Sequence, residues 1–177
     1  MRLEVRAAEG VAIASPGKLG GYAAVFDSEA DLGDFIEVVR PGAFTRSLKA
    51  SGAILALYDH ERRSVLGRVS AGTLRLREDS AGLAFELDLP DTGIGRDLAV
   101  LVERGDISGC SFGFVTPAGG DAWSTRGDKP MRELRSVDLH EITITPTPAY
   151  PDTTVAKRSL RELSDGLQLH RLWMATL

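Results

Sequence analysis

Gly105-Asp106-Ile107-Ser108-Gly109-Cys110-Ser111-Phe112-Gly113-Phe114-Val115 runs from a helix-stop glycine through a polar turn into an aromatic-rich strand. Period-two alternation puts Cys110, Phe112 and Phe114 on one face and Ser111, Gly113 and Val115 on the other. The bulky face is the natural core face, so the Ser111 hydroxyl is expected to look toward a side that Gly113 leaves open. A rigid element presents a nucleophile in this way. Gly109 to Gly113 also spells Gly-x-Ser-x-Gly, the string of the hydrolase nucleophile elbow, which needs strand, sharp turn and helix. Phe114-Val115-Thr116-Pro117 instead continues as strand, which argues against an elbow esterase. The same residues fit a plain strand serine whose glycines mark a bulge or close packing.

Upstream, Ile94, Leu98, Leu101 and Val102 form one apolar stripe, predicting a helix capped by Asp91 or Thr92 and closed by Gly105. Before it, Leu83, Phe85, Leu87 and Leu89 alternate with polar or small residues as a strand ended by Pro90. Further strands are predicted over residues 2–14, 20–26, 35–39, 54–58, 65–69 and 73–77, with a helix opening at Pro41-Gly42-Ala43-Phe44 and stopping at Gly52. Asp27 to Asp34 reads as an acidic surface loop. Downstream, residues 116–129 read as a mobile loop and 137–145 as a strand. Many short strands with few helices predict a mainly β fold with flanking helices, a closed or nearly closed, mainly antiparallel β-barrel. The expected division is a barrel domain over 1–155 and a helical tail over 156–177, with Leu160, Leu163, Leu167 and Trp173 on a shared side.

The chain has 177 residues, 43% of them apolar, enough for one domain with a real core. A net charge of -4 argues against nucleic acid as the main ligand. The single cysteine, Cys110, excludes an internal disulfide framework, and His60, His140 and His170 show no zinc-ligand spacing. No cofactor and no metal are expected. The first residues lack a signal-peptide pattern and no apolar run is long enough to span a bilayer, so a soluble, cytoplasmic protein is expected.

A hydrolytic serine needs a base within hydrogen-bond reach and a group that orients the base. The candidates near strand ends are His60 as base and His140 or Glu141 as orienter. Each alone is ordinary, as a turn histidine or a cross-strand carboxylate. Cys110 is the rival nucleophile, but its face carries Phe112 and Phe114, which reads as a small buried apolar residue. Arg68 is a candidate for oxyanion assistance or for a surface ion pair.

In order, the motifs are Gly20-Gly21-Tyr22-Ala23-Ala24-Val25-Phe26, Pro41-Gly42-Ala43-Phe44, Tyr58-Asp59-His60, Leu66-Gly67-Arg68, Gly82-Leu83, Gly109 to Phe114 and Leu139 to Tyr150. Over roughly residues 18–158 this ordered set resembles the HK97-type prohead (capsid maturation) proteases of tailed bacteriophages, distantly similar to herpesvirus assemblins. The resemblance implies an assemblin-type barrel and a serine endopeptidase with Ser111 as nucleophile and His60 as general base. It places the acid at Glu141, whereas the assemblin analogy wants a histidine there. It also implies cleavage of the major capsid protein's scaffolding segment, and self-cleavage, inside assembling procapsids in the host cytoplasm. Self-association is possible on this reading; nucleic acid and membrane are not expected partners. The alternative from another class is a catalytically silent barrel that serves as an assembly or scaffold partner.

Overall fold

The computed structural model describes residues 3–50 and 53–146. In chain order its strands are β1 (Glu4–Glu9), β2 (Ala12–Ser15), β3 (Lys18–Val25), β4 (Glu29–Asp31), β5 (Ile36–Val39), β6 (Leu55–Tyr58), β7 (Glu61–Arg68), β8 (Leu74–Glu78) and β9 (Gly82–Asp88). They continue as β10 (Gly109–Val115), β11 (Asp121–Arg126), β12 (Lys129–Leu134) and β13 (Asp138–Thr145). Helix α1 spans Thr45–Lys49 and α2 spans Gly93–Glu103.

The strands form three sheets, in the orders β1-β10-β13-β6-β7, β11-β12-β5-β4 and β2-β3-β9-β8. Each order has two ends, so no described sheet closes on itself by backbone pairing. The mainly β expectation holds, and closure into a barrel is not formed by these strands. Pairing is antiparallel except for β12 with β5 and β13 with β6.

Local chemistry accounts for most element boundaries. Thr92 caps α2 by accepting from the Gly95 N–H, and the apolar stripe buries Leu98 and Val102. Gly105 then takes the left-handed backbone that ends a helix, at φ 78°. The first predicted strand splits into β1 and β2 at Gly10, and the acidic loop contains the short β4. The predicted helix from Pro41 is only α1, after a turn. The expected mobile loop over 116–129 is largely ordered as the β11–β12 hairpin. Arg126 pairs with Lys129 there, and Gly127 at φ 64° provides the tight turn. The expected tail over 156–177 lies outside the described residues.

One core joins the three sheets. Phe44 meets Phe112 edge-on at 5.4 Å, and Phe112 stacks on Phe114 at 5.2 Å. Each such buried ring contributes roughly 1.5–3 kcal/mol. At one border of this core lies a buried charge network. Arg6 bonds Glu37 at 2.5 Å and Glu4 at 3.1 Å; Arg132 bonds Glu4 at 2.6 Å, Glu37 at 3.1 Å and Asp121 at 2.7 Å. It ties β1 of the first sheet to β5, β11 and β12 of the second. Burial alone would raise the Glu4 carboxyl, but the Arg132 hydrogen bonds and the charges of Arg132 and Arg6 outweigh it and hold the group below its ordinary value.

Candidate active site

β10 is the central element. It pairs with β1 on one side and β13 on the other, so its backbone groups are used in both ladders. Cys110, Phe112 and Phe114 face the core as the alternation predicts. Ser111 and Gly113 occupy the opposite face, but that side is not open. Ser111 is 0% exposed. Across the register, Thr143 stands opposite Ser111 and Glu141 opposite Gly113. A β-carbon on Gly113 would lie 2.8 Å from Glu141 Cγ, so the space left by the glycine is filled by the carboxylate side chain.

A bulge in β13 decides which of two neighbouring residues reaches this face. Gly113 pairs with Glu141 and Phe114 with Leu139, leaving His140 as the extra residue. Plain alternation would put Leu139 with Glu141 and Thr143, but it is broken there: Leu139 shares the core row of Phe114. His140 is exposed and Glu141 is 5% exposed.

His60 arrives from β6 through a two-residue turn. Tyr58 pairs with Glu61, and the intervening Asp59 and His60 have φ of 49° and 58°. This is the pattern of a type I′ hairpin turn, which takes positive φ at both central positions. The turn is tied to β13 twice, by the Asp59 N–H donating to the Ile144 carbonyl and by Thr145 Oγ1 donating to Asp59 Oδ1, both at 3.0 Å. His60 Nδ1 then lies 2.9 Å from Glu141 Oε1. With Nδ1–H donating to the carboxylate, Nε2 of the neutral ring carries the lone pair.

Nε2 is buried and has no hydrogen-bond partner among the described residues; the same holds for Thr143 Oγ1. Sequence reasoning did not single out Thr143. Its signal was position: a hydroxyl two residues beyond Glu141 on one face of a core strand. Cys110 is fully buried, and burial pushes its thiol up to about 12, which disfavours the thiolate a cysteine nucleophile needs. Arg68 is exposed on the edge strand β7, without an ion pair among the described residues. Those residues contain no group of three or more His, Cys, Asp or Glu arranged to hold a metal.

An imidazole fixed by a carboxylate, on the sheet face that carries a serine, is the chemistry of a serine hydrolase. The sequence model of the caudovirus prohead serine proteases matches residues 1–166. The chain therefore belongs to that family of phage serine endopeptidases, whose work is capsid maturation. No curated protein and no solved structure gives a significant match.

Proposed function

We propose that the chain cleaves scaffolding or capsid-protein segments, and itself, within the assembling procapsid in the host cytoplasm, with Ser111 as nucleophile, His60 as general base and Glu141 as orienter. The observation that carries this reading is the 2.9 Å contact between His60 and Glu141, made on the face where Glu141 covers Gly113, two residues from Ser111. The major capsid protein and its scaffolding segment are the partners this reading requires. Three sheets around one core support, without closing it, an assemblin-type barrel.

Ser111 Oγ attacks the peptide carbonyl carbon and its proton passes to His60 Nε2. Glu141 holds the ring by Nδ1 and stabilises the imidazolium. Collapse breaks the C–N bond, and Nε2 returns the proton to the leaving amine. Water then opens the acyl-enzyme by the same route.

Fluorophosphonate labelling tests the reading, because only an activated serine reacts. Label should map to Ser111 and vanish in Ser111→Ala. The burial of Ser111 favours a second reading, a silent assembly partner. Folded protein that neither labels nor processes co-expressed capsid protein would establish that one instead.

A further inference from the structure

The proposed reaction places negative charge on the carbonyl oxygen of the tetrahedral intermediate, and some donor must meet it. The backbone N–H groups around Ser111 are poor candidates. β10 is flanked by β1 and β13 through this stretch, with Ser111 paired to Ala7 on one side and Thr143 on the other. The strand's own N–H groups are therefore engaged in ladders. A side-chain donor on the same face is needed, or donors from elsewhere.

Thr143 meets the requirement. It is 0% exposed and stands directly across the register from Ser111. Side chains so paired share a sheet face, with β-carbons about 4.5–5.5 Å apart. Its Oγ1 is buried without a hydrogen-bond partner among the described residues. Buried hydroxyls are nearly always satisfied, so an orphan calls for an explanation. The Nε2 of His60, the atom that would carry the serine proton, is the other such atom.

We propose that Thr143 is a further catalytic residue whose hydroxyl donates to the oxyanion formed on the substrate when Ser111 attacks. This rests on the reading of Ser111 as nucleophile. As the bond from Ser111 Oγ to the carbonyl carbon forms, the carbonyl π pair moves to oxygen and the serine proton moves to His60 Nε2. Thr143 keeps its own proton and donates a hydrogen bond to that oxygen. Because the donor has no hydrogen-bond partner among the described residues, its bond is gained as the charge develops, which is what accelerates a chemical step.

The test uses the full chain with Thr143→Val, which replaces the hydroxyl by a methyl of similar shape, and Thr143→Ser, which keeps a hydroxyl. Measurements are acylation and deacylation rates on a chromogenic ester, kcat and KM on a peptide spanning a mapped cleavage site, and Tm. Thr143→Val should lower both acylation and deacylation about 10²–10³-fold, with KM little changed, as removal of an oxyanion donor does. Thr143→Ser should retain most of the activity. Tm of Thr143→Val should be equal or higher, since the orphaned polar atom is gone. A purely structural hydroxyl would lower Tm and activity together, which overturns the proposal. So does an effect on deacylation alone, which would assign the hydroxyl to the attacking water. Wild-type rates in Thr143→Val, with Ser111→Ala inactive, reject Thr143 and leave the nucleophile standing. An active Ser111→Ala rejects the nucleophile, and the inference with it.

Discussion

Glu141 occupies the place where a side chain at Gly113 would begin: a β-carbon there would come within 2.8 Å of Glu141 Cγ and 3.2 Å of Cδ. The carboxylate that meets His60 thus depends on a missing side chain on the neighbouring strand. Gly113→Ala should push the carboxylate off the imidazole. A displacement of about 1 Å is enough to cost on the order of 10² in rate. The expected outcome is a folded protein with kcat reduced to about that extent, checked by peptide turnover alongside circular dichroism.

The two neighbours Cys110 and Ser111 point to opposite faces, so exchanging their roles is a clean test. Ser111→Ala should abolish processing, a loss on the order of 10⁶ in kcat. Cys110→Ala should remain active with a modest loss of stability, because the thiol is fully buried among Phe112 and Phe114 and pushed up to about 12. Processing of co-expressed capsid protein, read on a gel, distinguishes them. An active Ser111→Ala with a dead but folded Cys110→Ala would sink the assignment.

The bulge at His140 makes a sharp ranking between adjacent residues. Glu141→Gln should cut kcat by up to about 10⁴, by analogy with removal of a triad carboxylate's charge. His140→Gln, at an exposed position, should be close to neutral. Paired kinetics on the two variants decide between a His-Ser-Glu and a His-Ser-His arrangement.

Glu4, held in the network with Arg6, Glu37 and Arg132, should contribute to the loss of stability in acid. The Glu4 carboxyl is depressed in the fold, so its contribution to stability is complete above the ordinary value of 4.5 and is lost as pH falls below it. Arg132→Met should cost about 3–5 kcal/mol at neutral pH, because two buried carboxylates lose a partner. It should also flatten the loss between neutral and mildly acidic pH. Urea denaturation of both proteins at pH 7 and pH 4 measures the two effects together.

The alternation of β10 was readable because its aromatic residues sit at every second position, and the α2 stripe was equally plain, with its cap narrowed to Asp91 or Thr92. The β11–β12 hairpin was hidden by composition. Its strands carry Asp121, Ser124, Arg126, Lys129 and Arg132, polar residues that read as loop, although Gly127-Asp128 was a usable turn signal. The parity of β13 was unreadable past Leu139, since a bulge leaves no fixed mark in sequence. Nothing in the local sequence marks Glu4 and Arg6 as buried; only partners far along the chain, Glu37 and Arg132, explain it. The candidates His60, Ser111 and Glu141 were legible as residue types, while the meeting of His60 with Glu141 depends on a turn and a strand 81 positions apart.

That turn has a consequence for inheritance. His60 sits at φ 58°, a left-handed conformation that glycine takes freely and that costs a residue with a β-carbon of order 1 kcal/mol or more. His60→Gly would relieve the backbone while removing the proposed base. The same change would leave the Glu141 carboxylate, 5% exposed, without its imidazole partner, so relief at the turn is set against a stranded buried charge. Among copies of this chain a change at position 60 therefore trades backbone ease against that carboxylate, and the histidine is held by its partner on β13 rather than by the turn it sits in.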